Sequence, residues 1–343
     1  MSRVLSVATA IPEHALDRSE VVGLLAPYWP QLRRTPPGLE SELGNRWLVA
    51  EPSSMLRSRP LTESMEMYSE HATLLGREVV EKALEGAGIG PADLDLIISV
   101  SCTGYMVPSL EARLAAGLGF RPDVLRLPIT ELGCSGGASA LSFAHRHLLG
   151  HPNDNVLVMA VELSSISFHP DDPSRDNLTA SMVFGDGAGA VVLTGGVGGL
   201  TIAGTGSHLV PASTGLLGFD LRDNGFHVVL DRRLPDVIAR ELPAVIEAFR
   251  RRTGMGRLDF VAAHGGGPRI LDAVESALGV GDEVTAAARR AYSRVGNVSS
   301  ASILFALEEL LSGLGEGPAE GLGLAMGPGV SLELLHLRYG PPD

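Results

Sequence analysis

At 343 residues the chain is long enough for about two domains, and with 45% apolar residues it can bury a large core. Its net charge of −13, with no basic run to offset it, argues against nucleic acid or an anionic membrane as a partner. Two cysteines make no disulfide framework and suit a reducing compartment. No apolar run approaches the ~18 residues of a membrane span, and the apolar stretch Val4–Ile11 before Pro12 is short for a signal peptide, so a cytoplasmic protein is expected.

Weak alternation over 3–9 predicts a first strand. Residues 26–60, rich in Pro and Arg without periodicity, read as an irregular segment with short helices. Helical spacing over 62–85, with Thr62 as cap and Gly86 and Gly88 as stop, predicts a long helix. A buried strand follows at 94–101, then a loop with Pro108 and a helix over about 109–118. After a link through Pro128, residues 135–149 are apolar or small nearly all round, which predicts a buried helix. A strand at 155–161, a polar loop at 169–177, a helix near 178–184 and a Gly-rich strand at 185–194 close the first half. The second half reads as strands near 200–206 and 226–230, a helix at 235–252 and a strand at 258–263. Helices at 268–278 and 283–293, a helix after Asn297 and a final strand at 322–336 complete it. Apolar strands alternating with helices predict a parallel sheet covered on both faces.

The chain also repeats itself. GCSGGAS (133–139) and GNVSSAS (296–302) share Gly-x-x-small-small-Ala-Ser, and each leads into a helix. LDLIISVS (94–101) matches LDFVAAHG (258–265), and FGDGAGAVVL (184–193) matches MGPGVSLELL (326–335). Repeated patterns in one order imply two copies of a unit, divided here as 1–195 and 196–343. The copies differ where chemistry can sit: one carries Cys134, the other Asn297, and the second copy's strand ends at His264.

A thiol at a helix start faces unpaired N–H groups and the positive dipole end, so a depressed pKa is expected for Cys134. His264 precedes Gly265, Gly266, Gly267 and Pro268, which leaves open backbone beside an imidazole. Asn297 is equally suited to cap a helix or to donate from its amide. Together they offer a nucleophile that takes an acyl group, a partner for it, and donors for an enolate oxygen. No carboxylate base belongs to the set, which suits a carbon nucleophile made by CO₂ loss. His145 and His147 stand two apart on a helix and cannot form a helical metal pair.

These stretches, with VSCTGYMVPSL (100–110), VFGDGA (183–188), RDNGFHVVLD (222–231), HGGGPRIL (264–271) and RVGNVSSAS (294–302), resemble the type III polyketide synthases, the chalcone synthase-like branch of the thiolase superfamily. The likeness runs from about residue 3 to 338. It implies an α/β thiolase-like fold of two duplicated βαβαβ-type halves in five αβαβα layers, and a homodimer. It also implies malonyl-CoA and acyl-CoA as substrates, with no cofactor or metal. Cys134 would carry the acyl group, while His264 and Asn297 would bind the malonyl thioester and assist its decarboxylation. Phe184 matches the gatekeeper Phe. Val228 stands where plant enzymes carry a second one, Ser164 and Ser167 where chalcone synthases carry Thr, and Phe219 where they carry Gly. Cys102 and Thr103 match a pocket-edge pair of bacterial members, Ser299 joins the pocket, and Val107 lies on the loop expected to cross the dimer. Arg33, Arg34, Arg46 and Arg269, with Gly266, are the candidates for the coenzyme A phosphates. The resemblance to bacterial members, with small Val228, leads to a fatty acyl starter and an alkylpyrone or alkylresorcinol as the expected product. A self-primed, naphthalene-type pentaketide from malonyl-CoA alone is the alternative. A β-ketoacyl-carrier protein synthase of the initiating type shares the Cys-His-Asn set, but resembles His-Gln-Ala-Asn where this chain reads His264-Gly-Gly-Gly-Pro. A hydroxymethylglutaryl-CoA synthase needs a catalytic Glu, for which Glu131 has no supporting motif. A papain-like hydrolase does not fit the buried, duplicated setting.

Overall fold

A computed structural model describes residues 1–33, 44–264 and 266–341. The first half runs β1 (Ser2–Ala10), β2 (His14–Leu16), α1 (Arg18–Leu25), β3 (Arg46–Leu48), α2 (Pro52–Met55), α3 (Leu61–Ala87), β4 (Leu96–Val100), α4 (Leu110–Leu118), β5 (Leu125–Ile129), α5 (Gly136–Gly150), β6 (Asn155–Leu163), α6 (Arg175–Val183) and β7 (Asp186–Gly195). The second runs β8 (Gly199–Leu209), β9 (Leu217–Arg222), β10 (Gly225–Leu230), α7 (Leu234–Thr253), β11 (Phe260–Ala263), α8 (Pro268–Leu278), α9 (Ala286–Val295), α10 (Ser302–Gly313), β12 (Ala319–Gly327) and β13 (Ser331–Gly340).

Nine strands hydrogen-bond in the order β11-β12-β13-β8-β1-β7-β6-β4-β5. The repeat is visible in that order. Outward from the β1–β8 junction, β1-β7-β6-β4 on one side answers β8-β13-β12-β11 on the other. The junction itself is brief, Ser2 opposite Ile202 and Arg3 opposite Thr201. Helices α5 and α10 touch strands of both halves and form the middle layer. Helix α3 covers the outer face of the first half, and α7, with α8 against it, covers the second. This is the five-layered α/β arrangement of the thiolase-like fold.

The middle layer explains the composition. In α5 the residues Gly136 to Ser142 are all buried, because strands and α10 press on it from several sides. A methyl group on Gly137 would sit 2.2 Å from the Ser300 carbonyl oxygen, so only glycine fits that crossing. α10 is apolar from Ile303 to Leu307, and each fully buried Leu or Ile there contributes about 1.5–3 kcal/mol.

Several expectations change. The sheet is mixed: β4–β5, β4–β6 and β11–β12 are parallel, the other pairs antiparallel. Strands covered on both faces are apolar whichever way they run, so apolarity did not report direction. The link through Pro128 is edge strand β5, where a missing N–H costs no ladder bond on the open side. The final strand is the hairpin β12–β13, turned at Gly329 (φ 65) and Val330 (φ 50). Strand β9 had no reading at all. Helix α3 starts after Pro60, with no side-chain cap, so Thr62 lies inside it. Helix α6 starts earlier than expected, at Arg175, because the Ser174 hydroxyl accepts the Asn177 N–H at 3.2 Å.

Candidate active site

Cys134 lies in the 3₁₀ turn Gly133–Ser135 that leads into α5. Gly133 has φ 53, and a side chain there would meet Pro328 at 2.4 Å, so the turn needs glycine on both counts. The matching turn in the second half begins at Gly296, φ 68, and continues through Asn297 into the 3₁₀ turn Ser299–Ala301 and α10. The two 3₁₀ turns pack against each other. Asn297 is clasped beside Phe184: its N–H donates to the Val183 carbonyl at 3.0 Å, and its carbonyl accepts the Gly185 N–H at 3.0 Å.

Ser299 joins the elements. Its N–H donates to Asn297 Oδ1 at 2.9 Å, which assigns the carboxamide orientation and leaves Nδ2 as the free donor. Its hydroxyl lies 3.2 Å from Cys134 Sγ and 3.0 Å from Cys102 Sγ. Ser299 also has φ 49, an uncommon conformation for a non-glycine residue that costs about 1–3 kcal/mol and gathers at functional sites.

Beneath this group lies Glu162, near the end of β6 and fully buried. Its carboxylate accepts the backbone N–H groups of Cys102 and Thr103 at 3.1 Å, the Thr103 hydroxyl at 2.7 Å, and the Ser300 hydroxyl. Burial raises its pKa, and these hydrogen bonds act against the rise. Glu162 is the residue of this cluster that the sequence reading missed. Its signal was a lone acid ending an otherwise apolar strand, where an unpaired charge is too costly to occur without partners.

The expected low pKa of Cys134 does not appear. Burial pushes the thiol up to about 12; the Ser299 hydrogen bond lowers it in part, and the Glu162 charge raises it further. Cys102, also buried, is pushed well above the usual thiol range by burial and Glu162. His264 ends β11 with its N–H on the Leu324 carbonyl at 2.7 Å. The residue is 3% exposed, its Nδ1 has no partner, and burial lowers its pKa to about 4, so the imidazole is neutral. Without substrate the pair is therefore thiol and neutral imidazole, with no hydrogen bond between His264 and either Cys134 or Asn297 among the described residues.

One cavity is lined by Phe184, Val228, Cys102, Thr103, Ser164, Ser167, Phe219 and Ser299, the eight residues expected in the pocket. Cys134 meets it through the Ser299 hydroxyl. Phe219 and Val228 stand directly opposite each other on the β9–β10 hairpin, which forms one wall. The phosphate candidates separate. Arg269 is exposed in the first turn of α8, and Gly266 donates its N–H to the His264 carbonyl at 3.0 Å. Arg34 and the side chain of Arg33 lie outside the described residues. Arg46 is 8% exposed and its guanidinium donates to the Ser181 carbonyl, inside the cavity wall. That burial removes it from the surface where a coenzyme phosphate would sit. Among the described residues no group of three His, Cys, Asp or Glu side chains could hold a metal ion, and no helix is long and apolar enough to cross a membrane.

The N-terminal domain profile of chalcone and stilbene synthases matches residues 43–197 and the C-terminal domain profile residues 201–340. A 1,3,6,8-tetrahydroxynaphthalene synthase of Streptomyces peucetius subsp. caesius is 37% identical, over 98% of this chain and 93% of that protein. An alpha-pyrone synthesis polyketide synthase-like protein of Mycobacterium tuberculosis is 26% identical, over 95% of this chain and 88% of its own. The crystal structure of the 1,3,6,8-tetrahydroxynaphthalene synthase of Streptomyces coelicolor A3(2), a bacterial type III polyketide synthase, superposes with a TM-score of 0.93 at 31% identity, covering 99% of both chains. The chain belongs to the chalcone and stilbene synthases and is a type III polyketide synthase, an acyltransferase that works on coenzyme A thioesters without a cofactor.

Proposed function

We propose that this enzyme primes itself with malonyl-CoA and extends the chain with malonyl-CoA alone to a pentaketide that closes to a tetrahydroxynaphthalene-type product. The observation that carries the reading is the 37% identity, over nearly the whole chain, to a tetrahydroxynaphthalene synthase. The α-pyrone relative stands at 26%, so the alkylpyrone reading draws less support, and Val228 is its remaining argument. Product analysis separates the two: malonyl-CoA alone suffices for the first, and a long acyl starter is required for the second.

The proposed chemistry divides between the halves 1–195 and 196–343. The Cys134 sulfur attacks the starter thioester carbonyl and coenzyme A leaves as the thiol, taking the proton. A second malonyl thioester then loses CO₂. Its breaking C–C bond leaves an electron pair on the α-carbon as an enolate, whose oxygen the neutral His264 ring and Asn297 Nδ2 stabilise by hydrogen bonds. The α-carbon attacks the Cys134 thioester, a new C–C bond forms, and the Cys134 sulfur leaves, ready for reloading. Burial makes the Cys134 thiol neutral at rest, so its proton leaves as the sulfur attacks.

A homodimer is part of the proposal. Edge strand β5 exposes Leu125 (57%) and Leu127 (39%), and the nearby loop exposes Tyr105 (60%) and Val107 (74%). Exposed apolar side chains on an unpaired strand edge favour pairing with a second copy. Arg269, and Arg33 with it, are proposed for the phosphates of coenzyme A. The test is mass spectrometry of products from malonyl-CoA with and without added acyl-CoAs. A pentaketide-derived naphthalene from malonyl-CoA alone supports the reading; products made only with a long acyl starter overturn it.

A further inference from the structure

Arg46 is the only lysine or arginine among the described residues that line the cavity, whose neighbouring wall is Leu16, Leu25, Leu48 and Met55. It rises from β3 and is buried. One of its five N–H groups, on Nη1, donates to the Ser181 carbonyl, while Nε has no acceptor. No carboxylate forms an ion pair with it among the described residues. Asp186 attracts it across space, but that carboxylate is occupied by the N–H groups of Val49 at 2.9 Å and Ser165 at 2.8 Å and by the Ser165 hydroxyl at 2.5 Å. Burial lowers the Arg46 pKa to about 10, which still leaves it protonated at neutral pH. A buried cation whose nearest carboxylate acts only across space and is held by other donors stays costly, and an anion in direct contact within the cavity would relieve that cost. An alkyl tail would leave it unrelieved.

We propose that Arg46 is an anion-binding residue of the cavity and holds the free carboxylate at the remote end of a malonyl-primed chain. The substrate class rests on the malonyl-primed reading above. Arg46 thereby becomes a specificity-determining residue: it favours starters ending in carboxylate over starters ending in methyl.

The test pits succinyl-CoA against butyryl-CoA at equal concentration, with limiting isotope-labelled malonyl-CoA, and reads the product ratio by mass spectrometry. The two starters differ only in carboxylate against methyl at the far end. Wild type should favour succinyl products about tenfold or more, the scale of a charge-assisted hydrogen bond. Arg46→Lys should keep the direction of that preference, and Arg46→Met should remove it, with thermal melts checking that each variant folds. If Arg46→Met does not fold, the wild-type ratio decides. A butyryl preference in wild type, or an unchanged ratio in folded Arg46→Met, overturns the inference. Naphthalene from malonyl-CoA alone without a charge preference removes only the role of Arg46. A charge preference without self-primed product removes only the self-primed reading.

Discussion

The turns that carry Cys134 and Asn297 share a positive-φ glycine and differ in chemistry. Gly133 lies within its 3₁₀ turn and Gly296 ahead of its own, and each turn leads into a buried helix of the middle layer. In the first the side chain is a thiol against the Ser299 hydroxyl; in the second it is a carboxamide tied to the Ser299 N–H. The strands beside them diverge the same way. The penultimate residue of β6 is Glu162, fully buried and hydrogen-bonded, and that of β12 is Met326. Among the described residues only the first half adds an edge strand, β5, beyond the repeated four. Duplication supplies the frame twice. In the proposed chemistry a few side chains make one copy the point of acyl attachment and the other the point of charge stabilisation.

The comparison breaks most readily at its two named residues. Cys134→Ala should abolish acyl-enzyme and all chain extension while leaving some malonyl-CoA decarboxylation. Asn297→Ala should leave acyl-enzyme formation in place and slow decarboxylation by about 10²–10³-fold. Intact-protein mass spectrometry and CO₂ release read the two steps separately; loss of the same step in both variants would erase the division.

A second test is the ionisation of the thiol. With its pKa raised to about 12, the Cys134 thiolate fraction should grow about tenfold per pH unit from pH 7 to 10. Alkylation by iodoacetamide should follow that slope without a plateau. A plateau below pH 8 would reveal a thiolate already paired with an imidazolium, and the burial argument would fall.

Packing between the two copies gives a smaller effect. Gly137→Ala drives a methyl against the Ser300 carbonyl and should cost about 1–3 kcal/mol in denaturant melts. Gly150→Ala in the same helix meets nothing within 4 Å and should be neutral or slightly stabilising. Equal effects would mean the helix crossing is looser than described. Smallest is Val228→Phe on the cavity's hairpin wall, which should shift starter use a few-fold towards shorter acyl groups. An unchanged starter profile would remove Val228 from the determinants of chain length.

Much of this was legible in the chain. The duplicated Gly-x-x-small-small-Ala-Ser motifs carry both turns because each turn needs glycine and each buried helix needs small residues, and those needs are written directly in residue type. Helices were found nearly to their ends for the same reason. Strand direction was not legible, since a strand sandwiched between layers is apolar in either orientation. Pro128 looked like a break because an edge strand was not anticipated, and β12–β13 merged because both strands are apolar on both faces. In the site, residue types suggested the Cys-His-Asn set, but the raised thiol pKa follows from burial, which spacing does not report. Glu162 was overlooked because its partners, Thr103 and Ser300, are distant in sequence. Arg46 stands among the candidates for the coenzyme A phosphates because nothing local marks the cavity wall it occupies.

The most direct test of the account is the product of the purified enzyme given malonyl-CoA alone, with Cys134→Ala alongside. The account predicts a tetrahydroxynaphthalene-type pentaketide product from wild type and none from the variant. No product from malonyl-CoA alone, or the same product from Cys134→Ala, would contradict it.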